Sequence, residues 1–301
     1  MTDEADPEAA HALAMFERER ARLRSVAYRM LGSMADADDV VQETWVRWHR
    51  LTPEGREVVE RPAAWLTTVT SRLALDRLKS AQHQREEYIG PWLPEPVLTD
   101  TDPATTVELA ESLTLGFLTV LERLGPVERA VFLLADVFGE PFAAIAPVVD
   151  RSEEACRQIA ARARRRVRDD RRLFQPATAR RDELVQVFMA ACAFGEIDAL
   201  RRILADDVVL VSDGGREVHA ARRPVLGFHR VSRLLANLTK RMPADAEIEL
   251  HEVNGEAGLV ITRNGATTMV MAFEVADDRI AGIRLVLNPA KLRRIGASAT
   301  S

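Results

Sequence analysis

The most basic stretch of the chain, residues 151–180, has the side chains that a DNA-binding helix needs. It carries 10 basic and 4 acidic groups, although the whole chain has a net charge of −5. Arginine binds guanine and glutamine binds adenine through paired hydrogen bonds in the major groove, and further cations hold phosphates. An arginine-rich helix is by itself more often a solvated face. The candidate DNA contacts are Arg151, Ser152, Arg157, Gln158, Arg162 and Arg165.

A second basic stretch, residues 61–90, has side chains suited to an unpaired DNA strand. Its 5 basic groups outnumber its 3 acidic groups. Holding such a strand requires cations along the backbone and a pocket for an extruded base. Trp65 and Leu66 are more simply explained as core residues than as stacking partners. The candidate strand contacts are Thr68, Arg72, Arg77, Lys79 and Arg85.

An acidic and amide-rich segment precedes this second stretch, at Asp38, Asp39, Gln42 and Glu43. The spacing of these residues is by itself explained by a surface helix with an acidic first turn and an apolar stripe. The alternative is a polar helix-on-helix interface, in which these groups meet basic partners and set the register.

Apolar residues recur at helical spacing in the first half of the chain. Gly32-Ser33 divides two helices between residues 16 and 50, and Asp36 is the expected N-cap of the second. Pro62 opens a third helix at its first turn. Residues 89–105 hold four prolines and therefore form a linker.

The next helical segments have the order and lengths of a helix-turn-helix unit with its supporting helix. They cover residues 126–137, 141–149 and 152–168, after a helix over residues 107–124. Placed as the second helix of such a unit, the basic stretch is expected to be a recognition helix.

Beyond residue 180 the pattern changes to an α+β type. A helix is predicted over residues 181–194 and another over residues 222–238, and from residue 208 the apolar period shortens towards two. Asn254-Gly255 and Asn264-Gly265 are strong hairpin signals. The pattern predicts a curved antiparallel sheet packed with helices.

Composition excludes several classes of protein. No apolar run approaches the roughly 20 residues that cross a bilayer, and the acidic N-terminus is unlike a signal peptide. Cys156 and Cys192 lie in different helical contexts without metal-ligand spacing, which suits a reducing compartment. We expect a cytoplasmic protein with no membrane partner, no metal and no cofactor.

The acidic segment and the basic helix after it together closely resemble sigma region two, and residues 139–168 resemble sigma region four. The chain is similar to sigma factors of the extracytoplasmic-function type. The resemblance implies that Asp38, Asp39, Gln42 and Glu43 bind the β′ clamp helices of core RNA polymerase, with the β flap as a second contact. It also implies that the strand contacts belong to the −10 element and the recognition helix to the −35 element of promoter DNA. No enzymatic activity is implied.

Three short motifs resemble a subgroup, the sigma J-like factors with a fused SnoaL-like C-terminal domain. Trp92-Leu-Pro-Glu-Pro96 is intact, whereas Asp213-Gly-Gly-Arg216 and Asn288-Pro-Ala-Lys-Leu292 each depart from the subgroup's pattern at one position. The resemblance implies that the fused domain regulates the sigma part in cis. The candidate regulatory contacts are Trp92, Pro94, Glu95, Asp213, Gly214, Gly215, Asn288, Pro289 and Lys291.

The expected fold is therefore multidomain, with two all-α sigma domains followed by an α+β cone. We place region two at residues 12–88, the linker at 89–106, region four at 107–173 and the cone at 180–296. SnoaL-like cones can hold a small ligand, and some are enzymes. Asp213, His219, His229 and His251 are the candidate acids and bases, but Asp213 more simply makes a turn and the histidines share no evident site.

A second hypothesis remains open from the sequence. The chain could be a helix-turn-helix DNA-binding protein, fused to a small-molecule sensor or SnoaL-like enzyme and acting without polymerase. It predicts promoter binding by the isolated chain and no stable complex with core polymerase.

Overall fold

A computed structural model of the chain describes residues 7–86, 88–100, 114–168 and 180–295. These residues form two compact units, and each unit is described by itself. The first unit combines residues 1–86 with residues 121–169, and the second combines residues 87–120 with residues 170–301.

The N-terminal part of the first unit consists of four helices. They are α1 (Pro7–Leu31), α2 (Met34–His49), α3 (Pro53–Glu57) and α4 (Pro62–Glu86). The helix break at residues 32–33 is as predicted, but the N-cap of α2 is Ser33 and the predicted cap Asp36 is wrong. Gly32 has a φ of 68°, after which Ser33 is extended and accepts a hydrogen bond from the Asp36 amide at 3.3 Å.

The C-terminal part of this unit is a helix-turn-helix. Helix α6 (Pro126–Phe132) continues into a wider π turn over Leu133–Val137, followed by α7 (Phe142–Val149) and α8 (Glu153–Arg168). Asp150, with a φ of 54°, ends α7 in the left-handed region and turns the chain towards α8.

The two helical parts pack together within the first unit. The Arg129 guanidinium is buried, donates to the Met30 carbonyl at 3.0 Å and pairs with Glu122 at 2.6 Å. Arg22 pairs with Glu140 at 2.5 Å. Since a buried charge requires a partner, Arg129 ties the helix-turn-helix to the end of α1.

The second unit is an α+β cone with a six-stranded sheet in the order β2-β1-β6-β5-β4-β3. Its helices are α5 (Leu115–Leu121), α9 (Arg180–Phe194), α10 (Ile197–Ile203), α11 (Phe228–Arg241) and α12 (Pro289–Leu292). Its strands are β1 (Leu204–Asp213), β2 (Val225–Leu226), β3 (Ala246–Val253), β4 (Glu256–Arg263), β5 (Ala266–Ala276) and β6 (Arg279–Val286).

The predicted fold class is confirmed, with two differences of detail. The sheet is mixed rather than wholly antiparallel, because β1 and β6 pair in parallel while the other pairs are antiparallel. Helix α11 begins at Phe228, later than predicted, because Pro224 and Gly227 (φ of 81°) interrupt the backbone before it.

The sheet of the cone has an apolar core on each face. On one face Phe188 of α9 packs edge-on against Phe273 of β5, with ring centroids 4.9 Å apart. On the other face the linker residue Leu93 and Leu115 of α5 pack against Val270 and neighbouring residues. Linker residues 88–100 and α5 therefore belong to the packed structure of the cone. Among the described helices, none has the length and apolarity to cross a bilayer.

Candidate functional site

The predicted core-polymerase residues lie on a polar face of α2. Asp39, Gln42 and Glu43 are exposed and Asp38 is half-buried, whereas the opposite face, with Val40, Val41 and Thr44, is buried. Asp38 pairs with Arg24 at 2.7 Å and Glu43 with Arg47 at 3.0 Å. The carboxylates are thus held in place at the surface, where a basic partner can reach them.

The predicted −10 residues lie along α4, where the four with described side chains all have partners within the chain. Arg72 donates to the Pro147 carbonyl of α7 at 2.8 Å, Arg77 bonds Asp39 at 2.9 Å and Asp36 at 3.2 Å, and the Thr68 hydroxyl donates to the Ala64 carbonyl. Lys79 lies 3.8 Å from Asp76. The side chain of Arg85 lies outside the described part of the chain.

The predicted −35 residues lie in and just before α8, and all six are exposed. Gln158, Arg162 and Arg165 follow each other at i, i+4 and i+7, so they share one face. Cys156, Ala160 and Ala163 are fully buried on the opposite face. Of the remaining predicted residues, Arg157 pairs with Glu153 at 2.8 Å, and the Ser152 hydroxyl caps α8 by accepting from the Ala155 amide at 3.2 Å.

Two other arginines of α8 hold the helix on its domain. Arg164 pairs with Asp136 at 2.7 Å and Arg166 pairs with Glu128 at 2.5 Å. These intramolecular pairs make Arg164 and Arg166 supports for α8, and they leave Gln158, Arg162 and Arg165 as its outward polar row.

In the second unit, Asp213 is the centre of a buried polar cluster where the linker crosses the cone. Its Oδ1 accepts from the Tyr88 hydroxyl at 2.5 Å and the Gly215 amide at 3.0 Å. Its Oδ2 accepts from the Leu93 amide at 2.9 Å and the Lys291 ammonium at 2.7 Å. The Asp213 side chain is 0% exposed, so it anchors the linker as well as making its own turn.

Lys291 closes the cluster from the other side of the linker. Its ammonium donates to the Leu93 carbonyl and lies 3.9 Å from the centroid of the Trp92 ring and 5.4 Å from that of Tyr88. A cation between aromatic faces and a carboxylate is well compensated for its burial. Burial raises the pKa of the Tyr88 hydroxyl above its ordinary value, and the hydrogen bond to Asp213 raises it further.

The glycines and Asn288 shape the same cluster. Asn288 caps α12 and donates from Nδ2 to the Tyr88 hydroxyl at 2.8 Å. Gly215 has a φ of 63°, and a Cβ there would lie 2.8 Å from the Asn288 side chain. A Cβ on Gly214 would lie 2.1 Å from a carbonyl oxygen of the following loop. Side chains are therefore excluded at both glycines.

The other residues of the three motifs surround this cluster. Pro94 and Glu95 are buried, and Glu95 Oε1 lies 4.0 Å from Arg294 Nε. Pro289 is the first residue of α12. The structure thus joins Asp213, Asn288 and Lys291 in one cluster, with the other motif residues beside them in the chain, and it adds Tyr88, which no motif indicated.

The linker continues as an extended segment beside the end of β3. The Thr99 amide donates to the Glu252 carbonyl at 2.9 Å, and the Asn254 amide donates to the Val97 carbonyl at 2.8 Å. The Asn254 side chain returns a hydrogen bond by accepting from the Val97 amide at 3.0 Å. Backbone pairing therefore fixes the register of the linker on the cone.

A buried group of four charges lies on the linker-covered face of the sheet. Arg181 lies 3.2 Å from Glu256, and Arg284 lies 2.6 Å from Glu274. The Glu274 carboxylate fits against Gly116 of α5, where a Cβ would lie 2.4 Å from Oε1. Burial raises the pKa of Glu256 to about 7; Arg181 lowers it and Glu274 raises it.

The candidate acids and bases of the cone do not form a catalytic group. Asp213 is engaged with the linker, His219 lies in the loop after Gly214 and His229 is exposed on α11. His251 lies on β3, 3.0 Å from Asp100. Across the described ranges, no cluster of three or more His, Cys, Asp or Glu side chains suits a metal ion.

Comparison with known proteins gives the family. A profile of Sigma-70 region 2 matches residues 15–84, and one of Sigma-70 region 4 matches residues 115–167. The ECF RNA polymerase sigma factor SigJ of Mycobacterium tuberculosis is 41% identical over 294 residues, covering 92% of this chain and 91% of SigJ. The chain belongs to the ECF family of RNA polymerase sigma factors. It joins core RNA polymerase and directs it to promoter DNA.

Further comparisons extend the likeness of this sigma factor to its relatives over both units. The probable ECF sigma factor SigI of Mycobacterium tuberculosis is 33% identical, covering 93% of this chain and 94% of SigI. The crystal structure of Mycobacterium tuberculosis SigJ matches with a TM-score of 0.76 and 35% identity, covering 93% of this chain and 97% of that one. The multidomain fold and the SnoaL-like cone of this sigma factor are therefore confirmed.

Proposed function

We propose that this sigma factor binds the β′ clamp helices through α2, contacts the −10 element through α4 and the −35 element through α8, and is regulated in cis by the cone. The convergence of linker, Asp213 loop and Lys291 segment on one buried cluster carries the regulatory part. The family supports a cytoplasmic location, since core polymerase and promoter DNA are there.

The −35 part of the proposal rests on the outward row of α8. Gln158 and Arg162 are exposed on this row, and their side chains are suited to base edges in the major groove. Arg165, one turn further along, is placed for phosphate contact. The β flap of core polymerase is the expected partner that carries this helix-turn-helix to the −35 element.

The −10 part requires the first unit to open. The positions −35 and −10 place the two promoter elements about 25 base pairs apart, which is ~85 Å along B-DNA at ~3.4 Å per base pair. A compact unit with as many residues as the first unit has a radius of gyration of only ~14 Å. The Arg72–Pro147, Arg22–Glu140 and Arg129–Met30 contacts belong to the compact form, so we expect core polymerase to separate them.

Opening is testable by small-angle X-ray scattering on the full chain and on Glu140→Ala. The substitution removes the acceptor of Arg22 on the helix-turn-helix side and should increase the radius of gyration of the free chain. Glu43→Ala removes an ion pair within α2 and is the matched control, which should leave it unchanged. An unchanged radius for both variants contradicts the role given to the Arg22–Glu140 contact.

Regulation by the cone is proposed because the linker between the two sigma domains is held by cone residues. The cone holds the linker at four residues, Tyr88, Leu93, Val97 and Thr99. A linker held in this way is less free than an unbound one to extend between the two sigma domains on polymerase. Chains ending after residue 180 and after residue 287 test this in run-off transcription. If both truncated chains transcribe as the full chain does, the cone does not regulate.

The alternative without polymerase, a DNA-binding sensor or enzyme, is weakened by the family match to sigma regions two and four. A pull-down with core polymerase separates the two. Retention of the chain by core polymerase supports the proposal, and strong promoter binding by the free chain without retention supports the alternative.

A further inference from the structure

A cavity of about 430 Å³ opens in the cone between α9, α11 and strands β3 to β5. It lies on the face of the sheet opposite the linker, and it reaches core residues such as Phe188, Leu259 and Met271, whose exposed fractions are 2%, 4% and 7%. A concave, mostly apolar site of roughly 300–1,000 Å³ is typical of small-molecule binding.

The walls of this cavity carry apolar and polarisable side chains. Met189, Met242, Met269 and Met271 line it together with Cys192, and such residues adapt their shape to a ligand. Burial raises the pKa of the Cys192 thiol to about 11, so the thiol is neutral at pH 7. Among the described residues that line the cavity, none carries a charge.

Few polar groups face this space. The Thr239 hydroxyl donates to the Leu235 carbonyl at 3.1 Å, which leaves the Gln186 amide as the main polar group of the lining. A charged ligand would therefore lose its hydration without gaining a partner, at a large cost in free energy.

We propose that the cone cavity binds an uncharged, largely hydrocarbon small molecule with at most one hydroxyl or carbonyl group for Gln186. The site lies on the face of the sheet away from the Asp213–Lys291 cluster, so this inference goes beyond the regulatory contact with the linker and does not depend on polymerase binding.

The first test is displacement of the neutral fluorescent probe N-phenyl-1-naphthylamine from the full chain. Decanol should displace the probe at a concentration about tenfold or more below that needed for decanoate or decylammonium, because the ions lack a partner in the cavity. Equal potency of decanol and decanoate would overturn the proposal. If the probe affinity falls as the chain concentration rises, a second copy of the chain competes for the cavity, and the cavity is an interface between copies instead.

Two substitutions test whether the probe binds in the cavity. Met189→Trp fills the cavity and should reduce probe affinity about tenfold or more, because the added ring takes the ligand's volume. Phe194→Ser removes a side chain that is 79% exposed and does not line the cavity, so its probe affinity should equal that of the wild type. Unchanged binding in Met189→Trp, or an equal loss in Phe194→Ser, overturns the proposal.

A charge variant covers the case in which Met189→Trp does not fold. Met242 is half-buried at the end of α11, where a cation is tolerated near the helix C-terminus. Met242→Lys should raise the potency of decanoate relative to decanol. The same preference for decanol in Met242→Lys and in the wild type would contradict ligand binding at this place.

Discussion

The Lys291 ammonium lies 2.7 Å from the Asp213 carboxylate, and both groups contact the backbone of Leu93 in the linker. The Leu93 amide donates to Asp213, and the Leu93 carbonyl accepts from Lys291. An ion pair of the fused cone thus binds the linker between the two sigma domains. The Trp92 ring, 3.9 Å from the ammonium, covers this pair.

Breaking the pair at one side should release the linker. Lys291→Met leaves the Asp213 carboxylate buried without its cation, and removal of one partner of a buried pair costs about 3–5 kcal/mol. We expect a lower urea midpoint for the cone and faster hydrogen exchange in residues 88–100. Lys240→Met, at an exposed position of α11, is the control. Unchanged exchange in the linker of Lys291→Met would contradict the anchoring role.

Substitutions in the outward row of α8 should distinguish residues that contact bases from residues that contact phosphates. Gln158→Ala and Arg162→Ala should each cost about 1–3 kcal/mol on the preferred −35 sequence and relax its selectivity. Arg165→Ala should weaken binding to all sequences and reduce its salt dependence. Holoenzyme binding to a set of −35 variants measures both. Equal losses on every −35 sequence for all three variants would refute base readout by this row.

The role of Arg164 as a support of α8 gives a different expectation. Arg164→Ala removes the ion pair with Asp136 at 2.7 Å, which is partly exposed, so it should cost about 1 kcal/mol or less in stability. Promoter selectivity should stay as in the wild type. A change in −35 selectivity equal to that of Arg162→Ala would show that Arg164 contacts bases after all.

The buried carboxyl of Glu256 predicts a pH dependence of cone stability. Its pKa is raised from 4.5 to about 7, chiefly by burial, among Arg181, Glu274 and Arg284. Between these values the folded chain holds a proton that the unfolded chain has lost, so the contribution of Glu256 to stability falls as pH rises from about 4.5 to about 7. Urea midpoints of the wild type should therefore fall more between pH 5 and pH 8 than those of Glu256→Gln. Parallel pH profiles would contradict the raised pKa.

Much of this architecture could be predicted from local sequence signals. Pro62, the Asn-Gly turns and the apolar stripe of α8 act within a few residues, so helices, hairpins and the helix-turn-helix followed from them. The three motifs of the linker and cone were found by resemblance, and the structure places them at one cluster.

Long-range pairing was not predictable in the same way. Nothing near Tyr88 indicates that its hydroxyl bonds Asp213, 125 residues later, and nothing near Arg72 indicates a bond to the Pro147 carbonyl. The parallel pairing of β1 with β6 was missed because an alternating pattern gives no strand direction. The Arg181–Glu256 and Arg284–Glu274 pairs were missed because single charged residues in a sequence look like surface residues.

Reversing the charges of α2 tests whether its carboxylates join this chain to core RNA polymerase, as proposed. The variant Asp38→Lys, Asp39→Lys, Glu43→Lys is compared in run-off transcription with Glu54→Lys, Glu57→Lys, Glu60→Lys, which makes the same charge change at three exposed positions in and just after α3. We predict that the α2 variant loses core binding and transcription while the control variant keeps both. Full transcription by the folded α2 variant would contradict the assignment of this face to core polymerase.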